Sequence, residues 1–119
     1  MRSLNQAKSF QGKWRITSME VWDSEYYDME VPAYVEIRND DSGYFQFGLV
    51  QGELYGRTVY YPSGDRFEFT WEGGDENDAA SGSGLLQLTG NDKADGEIRI
   101  HRRDNSAMTL RRISSTKKK

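Results

Sequence analysis

The chain contains no cysteine, which excludes a disulfide framework and any thiolate metal site. No window is apolar enough to span a bilayer, and Met1 to Gln11 hold no secretory-type apolar run. A reducing, cytoplasmic setting with no membrane partner is expected from these absences. Net charge is −3, without the basic footprint that nucleic acid demands. Lys117-Lys118-Lys119 is the small exception, read as the end of a disordered basic tail over 114–119. The single histidine, His101, builds no zinc site without help from carboxylates. The serines stand in no nucleophile-elbow motif, and the glycines at 73, 74, 82 and 84 fit neither a P-loop nor a dinucleotide fingerprint. Asp75-Glu76-Asn77-Asp78 offers hard oxygens but lacks EF-hand spacing. No enzyme, cofactor or metal is therefore expected.

Apolar residues are only 35% of the chain, yet Trp, Tyr and Phe supply 13%. A few rings must then provide much of the core, each burying about 150–250 Å². No long amphipathic helical pattern occurs. Residues 1–11 read as a lead-in, with one or two helical turns over 3–10, and the rest as short strands and turns.

The first strand spans about 13–22. Trp14 and Ile16 share one face, and a bulge near Thr17-Ser18 would bring Met19 and Val21 inward as well. Residues 23–32 form a long acidic connection, and the second strand covers 33–38. The third, 44–50, presents Phe45, Phe47 and Leu49. A hairpin turn at Gln51-Gly52 and another at Pro62-Ser63-Gly64-Asp65 both put Leu54, Gly56, Thr58 and Tyr60 inward. They pair Phe47 with Gly56, Leu49 with Leu54, Tyr60 with Phe67 and Gly56 with Trp71. Residues 72–83 read as a second long connection, flexible and acidic. The last three strands, about 84–89, 96–103 and 107–113, pair Leu88 with Ile98 and Ile100 with Leu110, with a turn at Asp104-Asn105-Ser106.

About eight strands joined in sequence make a meander over a single domain, 1–119. The expected fold is all-β: an eight-stranded antiparallel up-and-down barrel with a short N-terminal helical turn. A sandwich of the same strands is the alternative.

Phe10-x-Gly12-x-Trp14 at the start of the first strand resembles the G-x-W signature of lipocalins and the wider calycin group. The whole chain is also similar to short bacterial proteins with lipocalin-like barrels. The resemblance implies that Trp14 closes one end of the barrel and that an arginine of the last strand packs across it. Arg112 has the fitting parity, with Arg111 as the alternative. It also implies that the opposite end is an open mouth.

In such a meander both acidic connections fall at that opposite end. Trp22, Tyr26, Tyr27 and Trp71 reach it too, beside Asp75, Glu76 and Asp78. An acidic, aromatic-rimmed entrance suits a small cationic or amphipathic molecule. The competing reading is a solidly packed barrel that serves as a protein-interaction scaffold, motivated by the outward tyrosines Tyr34, Tyr44, Tyr55 and Tyr61. Arg102 and Arg103 can bind phosphate or pair with the acidic loops, and alternation leaves Glu68 facing solvent.

Overall fold

The computed structural model describes residues 10–113. Period-two alternation yields eight strands: β1 (Gly12–Met19), β2 (Tyr34–Ile37), β3 (Ser42–Phe47), β4 (Val50–Val59), β5 (Arg66–Asp75), β6 (Asp78–Leu88), β7 (Lys93–Ile100) and β8 (Asn105–Ile113). Each is antiparallel to the next, and β8 returns to pair with β1, so the sheet closes into an up-and-down barrel. Closure leaves no terminal strand exposed to pair with another chain. Among the described residues the one helical turn, α1 (Ser24–Tyr27), lies between β1 and β2. All but the last two residues of the expected N-terminal lead-in fall outside the described residues, as does the basic tail. No described helix is long and apolar enough to cross a membrane.

The β1–β8 ladder shows the expected irregularity. Ile16 faces Leu110, Ser18 faces Thr109 and Met19 faces Met108, so one residue is absorbed at Thr17. This bulge turns Met19 to the same side as Trp14 and Ile16, and all three are buried. Val21 does not follow them inward. The strand ends at Met19 and the chain bends toward α1, leaving Val21 44% exposed.

Trp14 faces Arg112 across the closing seam. The guanidinium carbon lies 4.3 Å from the indole centroid. The Arg112 Nη1 donates to the Gln11 carbonyl at 2.6 Å, and its Nε lies 3.3 Å from Asp92 Oδ1. Trp14 is fully buried, its Nε1–H donating to the Phe10 carbonyl at 2.9 Å. Arg111 points to solvent.

Face assignments hold more widely than the expected pairings. The β3–β4 turn is Gly48-Leu49, not Gln51-Gly52: Phe47 faces Val50, Phe45 faces Gly52 and Gly43 faces Leu54. Gly48 carries the positive φ of +57° that such a turn requires, so Leu49 sits in the turn instead of opposite Leu54. The β4–β5 loop is longer than Pro62–Asp65, so Thr58 faces Phe67, Gly56 faces Phe69 and Leu54 faces Trp71. Tyr60 is left in that loop, 67% exposed rather than inward. Both corrections move partners by even steps, which preserves the inward set Phe45, Phe47, Leu54 and Gly56.

The largest correction concerns 72–83. This stretch is ladder, not flexible connection: Glu72 faces Ser81 and Asp75 faces Asp78, with Glu76-Asn77 as the turn. Val50 pairs with Asp75 on the other side, so β4 carries the hairpin to its tip. A Gly/Ala/Ser composition reads as loop, but small side chains leave backbone pairing intact when a neighbouring strand supports it. Similarly, β7 begins three residues earlier than expected, at Lys93. Leu88 therefore faces Ala94, Ile98 faces Gly84 and Ser106, and Leu110 faces Ala94, while the last turn lies at 101–104.

Candidate functional site

The end opposite Trp14 and Arg112 is closed by α1. Asp23 caps that turn, accepting from the Tyr26 N–H at 3.4 Å. Tyr27 is buried, and its hydroxyl donates to the Thr17 carbonyl at 3.0 Å. The Tyr26 hydroxyl accepts from the Leu49 N–H at 3.2 Å. Trp22 rests on Phe47 with centroids 5.0 Å apart and on Tyr26 at 6.0 Å. Trp71 is 2% exposed, edge-on to Phe45 at 4.9 Å, with its Nε1–H donating to the Arg99 carbonyl at 3.2 Å. Tyr27 and Trp71 thus belong to the packed interior, and only Trp22 and Tyr26 reach the rim.

The acidic residues of this end do meet Tyr26. Burial raises the Tyr26 hydroxyl above its ordinary value, the bond from Leu49 opposes this, and the charges of Asp75 and Glu76 push the same way as burial. Glu76 is held by its N–H, which donates to the Leu49 carbonyl at 3.0 Å. Asp75 is not free for a cation, because Arg103 Nη1 lies 2.7 Å from its Oδ2. Asp78 is exposed at the hairpin tip. The rim is therefore partly neutralised by the turn at 101–104, and Arg103 pairs with the acid instead of standing open to phosphate.

Besides one of about 700 Å³ beside Ser83, Arg99 and Asn105, two concavities lie on the outside of the wall. One, of about 760 Å³, separates Glu53 and Glu72 from His101 and Arg102. The other, of about 600 Å³, runs across β4, β5 and β6 to Arg99 of β7. The registers explain the second. Tyr55, Thr70, Ser83 and Arg99 form one outward row, and Arg57, Glu68, Leu85 and Glu97 form the next. Between the two rows Gly56, Phe69, Gly84 and Ile98 face inward, so backbone forms the floor. A Cβ at Gly56 would sit 2.2 Å from the Glu68 carbonyl oxygen, so β4 and β5 approach closely only around glycine. Arg66 stacks over Tyr61 at 4.8 Å, and the Tyr61 hydroxyl donates to Glu68 Oε2 at 2.5 Å. That bond raises the Tyr61 hydroxyl above its ordinary value.

Of the outward tyrosines, Tyr55 is 66% exposed and Tyr61 lies along this face. Tyr44 donates to Gln51 Oε1 at 2.7 Å, and Tyr34 lies under Lys13 Nζ at 4.7 Å. Sequence reasoning placed Tyr55 and Glu68 outward by alternation but did not see the concavity. That depends on register, which decides that Arg99 shares a row with Ser83 and Tyr55. No family model, curated protein or solved structure matches this chain.

Proposed function

We propose that the chain is a non-catalytic binding domain that engages a partner protein across the outer wall of β4, β5 and β6. The observation that carries this reading is a concavity lined by exposed Tyr55 and Arg57 and half-buried Arg66, with exposed Tyr61 stacked on Arg66 beside it, over an interior filled with aromatic rings. Tyrosine and arginine are the residues that anchor protein interfaces most often, since both give large contact area with polar ends. A calycin-like relationship belongs to the same reading, supported by Trp14 beneath Arg112 at the closed end. The test is affinity capture from extract of the source organism on the immobilised chain and on its Tyr55→Ala variant. A protein retained by the first and lost from the second is expected; equal retention by both sinks the proposal.

A second reading keeps a small cationic or amphipathic molecule at the rim, favoured by Tyr26 beside Asp75 and Glu76. Titration with an alkyl-trimethylammonium amphiphile discriminates. Binding there perturbs the fluorescence of half-buried Trp22, whereas binding on the outer wall does not.

A further inference from the structure

We infer that the 600 Å³ concavity on the outer wall receives a carboxylate-bearing, acidic segment of the partner protein. This rests on the reading of that wall as a protein interface and names the chemistry it selects. Three strands each bring a guanidinium to the concavity: Arg57 from β4, Arg66 from β5 and Arg99 from β7. Most of their donors are not consumed among the described residues. Arg57 stands opposite Glu68, yet it makes no ion pair or hydrogen bond among the described residues. Arg66 leaves its Nε buried without a partner among the described residues. Arg99 has one ion pair, with Glu97 at 3.0 Å.

The hydroxyls of Thr70 and Ser83, on the row between Tyr55 and Arg99, make no hydrogen bond of their own among the described residues. Acceptors are fewer. Glu68 already accepts the Tyr61 hydroxyl, and Asp41 accepts from the Gln11 amide at 3.5 Å. Fixed donors on Arg57 and Arg66 that no carboxylate holds among the described residues select an anion. The planar fork of arginine matches a carboxylate in two parallel bonds. An exposed tyrosine at the edge of the concavity gives the neighbouring partner residues an apolar face to lie on. The opening spans four strands, which is wide enough for an extended segment rather than a lone ion.

The probe is a hexaglutamate peptide, titrated at low salt into the isotopically labelled chain and read by amide and arginine Nε–H resonances. Shifts are expected at Arg57, Thr70, Ser83 and Arg99, saturating with peptide and weakening as salt rises. The double variant Arg57→Gln, Arg99→Gln is expected to bind at least about tenfold more weakly with its melting temperature little changed, since both side chains lie on the solvent face. Absence of shifts at millimolar peptide overturns the inference. Equal shifts with inorganic phosphate, and none with peptide, also overturn it, as the site is then one for small anions. Shifts that grow with protein concentration alone and vanish in the double variant identify a second copy as the occupant and overturn it likewise. If a captured partner is lost on Tyr55→Ala but retained by the double variant, the interface stands and its acidic occupant falls. If the peptide binds as expected and no partner is captured, the anion site stands and the interface reading falls.

Discussion

Arg112 joins three interactions in one side chain: the Trp14 face, the Gln11 carbonyl and the Asp92 carboxylate. Its side chain is 21% exposed, so the stack on indole is partly desolvated and the pair with the open Asp92 carboxylate contributes little. Removing it by Arg112→Ala should destabilise the fold by about 1–3 kcal/mol, from the lost cation–π contact and the bond to a backbone carbonyl. Arg112→Lys keeps the charge but not the plane and should fall between. Urea midpoints decide this, and an unchanged midpoint for Arg112→Ala means that the stack is ornamental. A second residue-scale effect is titratable. The Ser42 hydroxyl and N–H donate to Asp40 Oδ1 at 2.6 and 3.1 Å, and hold that carboxyl below its ordinary value of 3.8. A lowered folded value stabilises the charged form. The contribution is full above the unfolded value and is lost as pH falls through the folded one. The gap in melting temperature between the wild-type chain and Ser42→Ala should therefore be present at neutral pH and shrink below about pH 4. A gap that persists in acid shows that the carboxylate is not its source.

Hairpins are where sequence and structure part company. Alternation made Phe45, Phe47, Leu54 and Phe67 legible as inward, because face depends only on parity. Pairing depends on which residues turn, and β3–β4 offered two glycines for the turn, Gly48 and Gly52. Composition does not separate them; the surroundings do. Gly48 has φ +57°, and a Cβ there would lie 2.3 Å from the Tyr26 ring, whereas Gly52 sits under Trp71 within β4. The helical turn α1 packs on the β3–β4 turn, a long-range contact that no local pattern announces. Gly48→Ala should thus destabilise by about 1–3 kcal/mol, from the left-handed backbone and the displaced ring together. Gly64→Ala also meets a positive φ, but its nearest neighbour is the flexible end of Gln87 at 3.0 Å, so its loss should be smaller. Chemical denaturation of the two variants, compared at equal slope, reads the difference. Equal losses would mean that Tyr26 moves aside freely and that α1 does not fix the turn.

At the scale of the molecule, two of the expected mouth residues are buried for a reason that parity does not carry. Trp71 and Tyr27 were placed at the right end, but depth along the barrel axis is set by register. With the β3–β4 turn at Gly48-Leu49, β4 begins at Val50 and the wall rises past Trp71, which lies opposite Leu54 and edge-on to Phe45. The same register draws Tyr55, Arg57, Arg66 and Arg99 around one concavity on the outside. Closure also has a kinetic consequence. The β4–β5–β6 ladders join residues close in sequence, while the seam pairs Lys13 with Ile113, across nearly the whole chain. Loop-closure entropy opposes the seam until the hairpins are formed, so folding should take milliseconds to seconds, in the range of other sheet proteins of non-local pairing. Leu110 is buried at the seam and Phe69 in the central ladder. Leu110→Ala should remove about 2–5 kcal/mol, expressed as faster unfolding with little change in the folding rate, because its contacts form after the barrier. Phe69→Leu should instead slow folding. Stopped-flow tryptophan fluorescence against denaturant separates the two limbs. Were Leu110→Ala to slow folding by its full equilibrium loss, the first and last strands would meet early, and the barrel would assemble around its seam rather than close upon it.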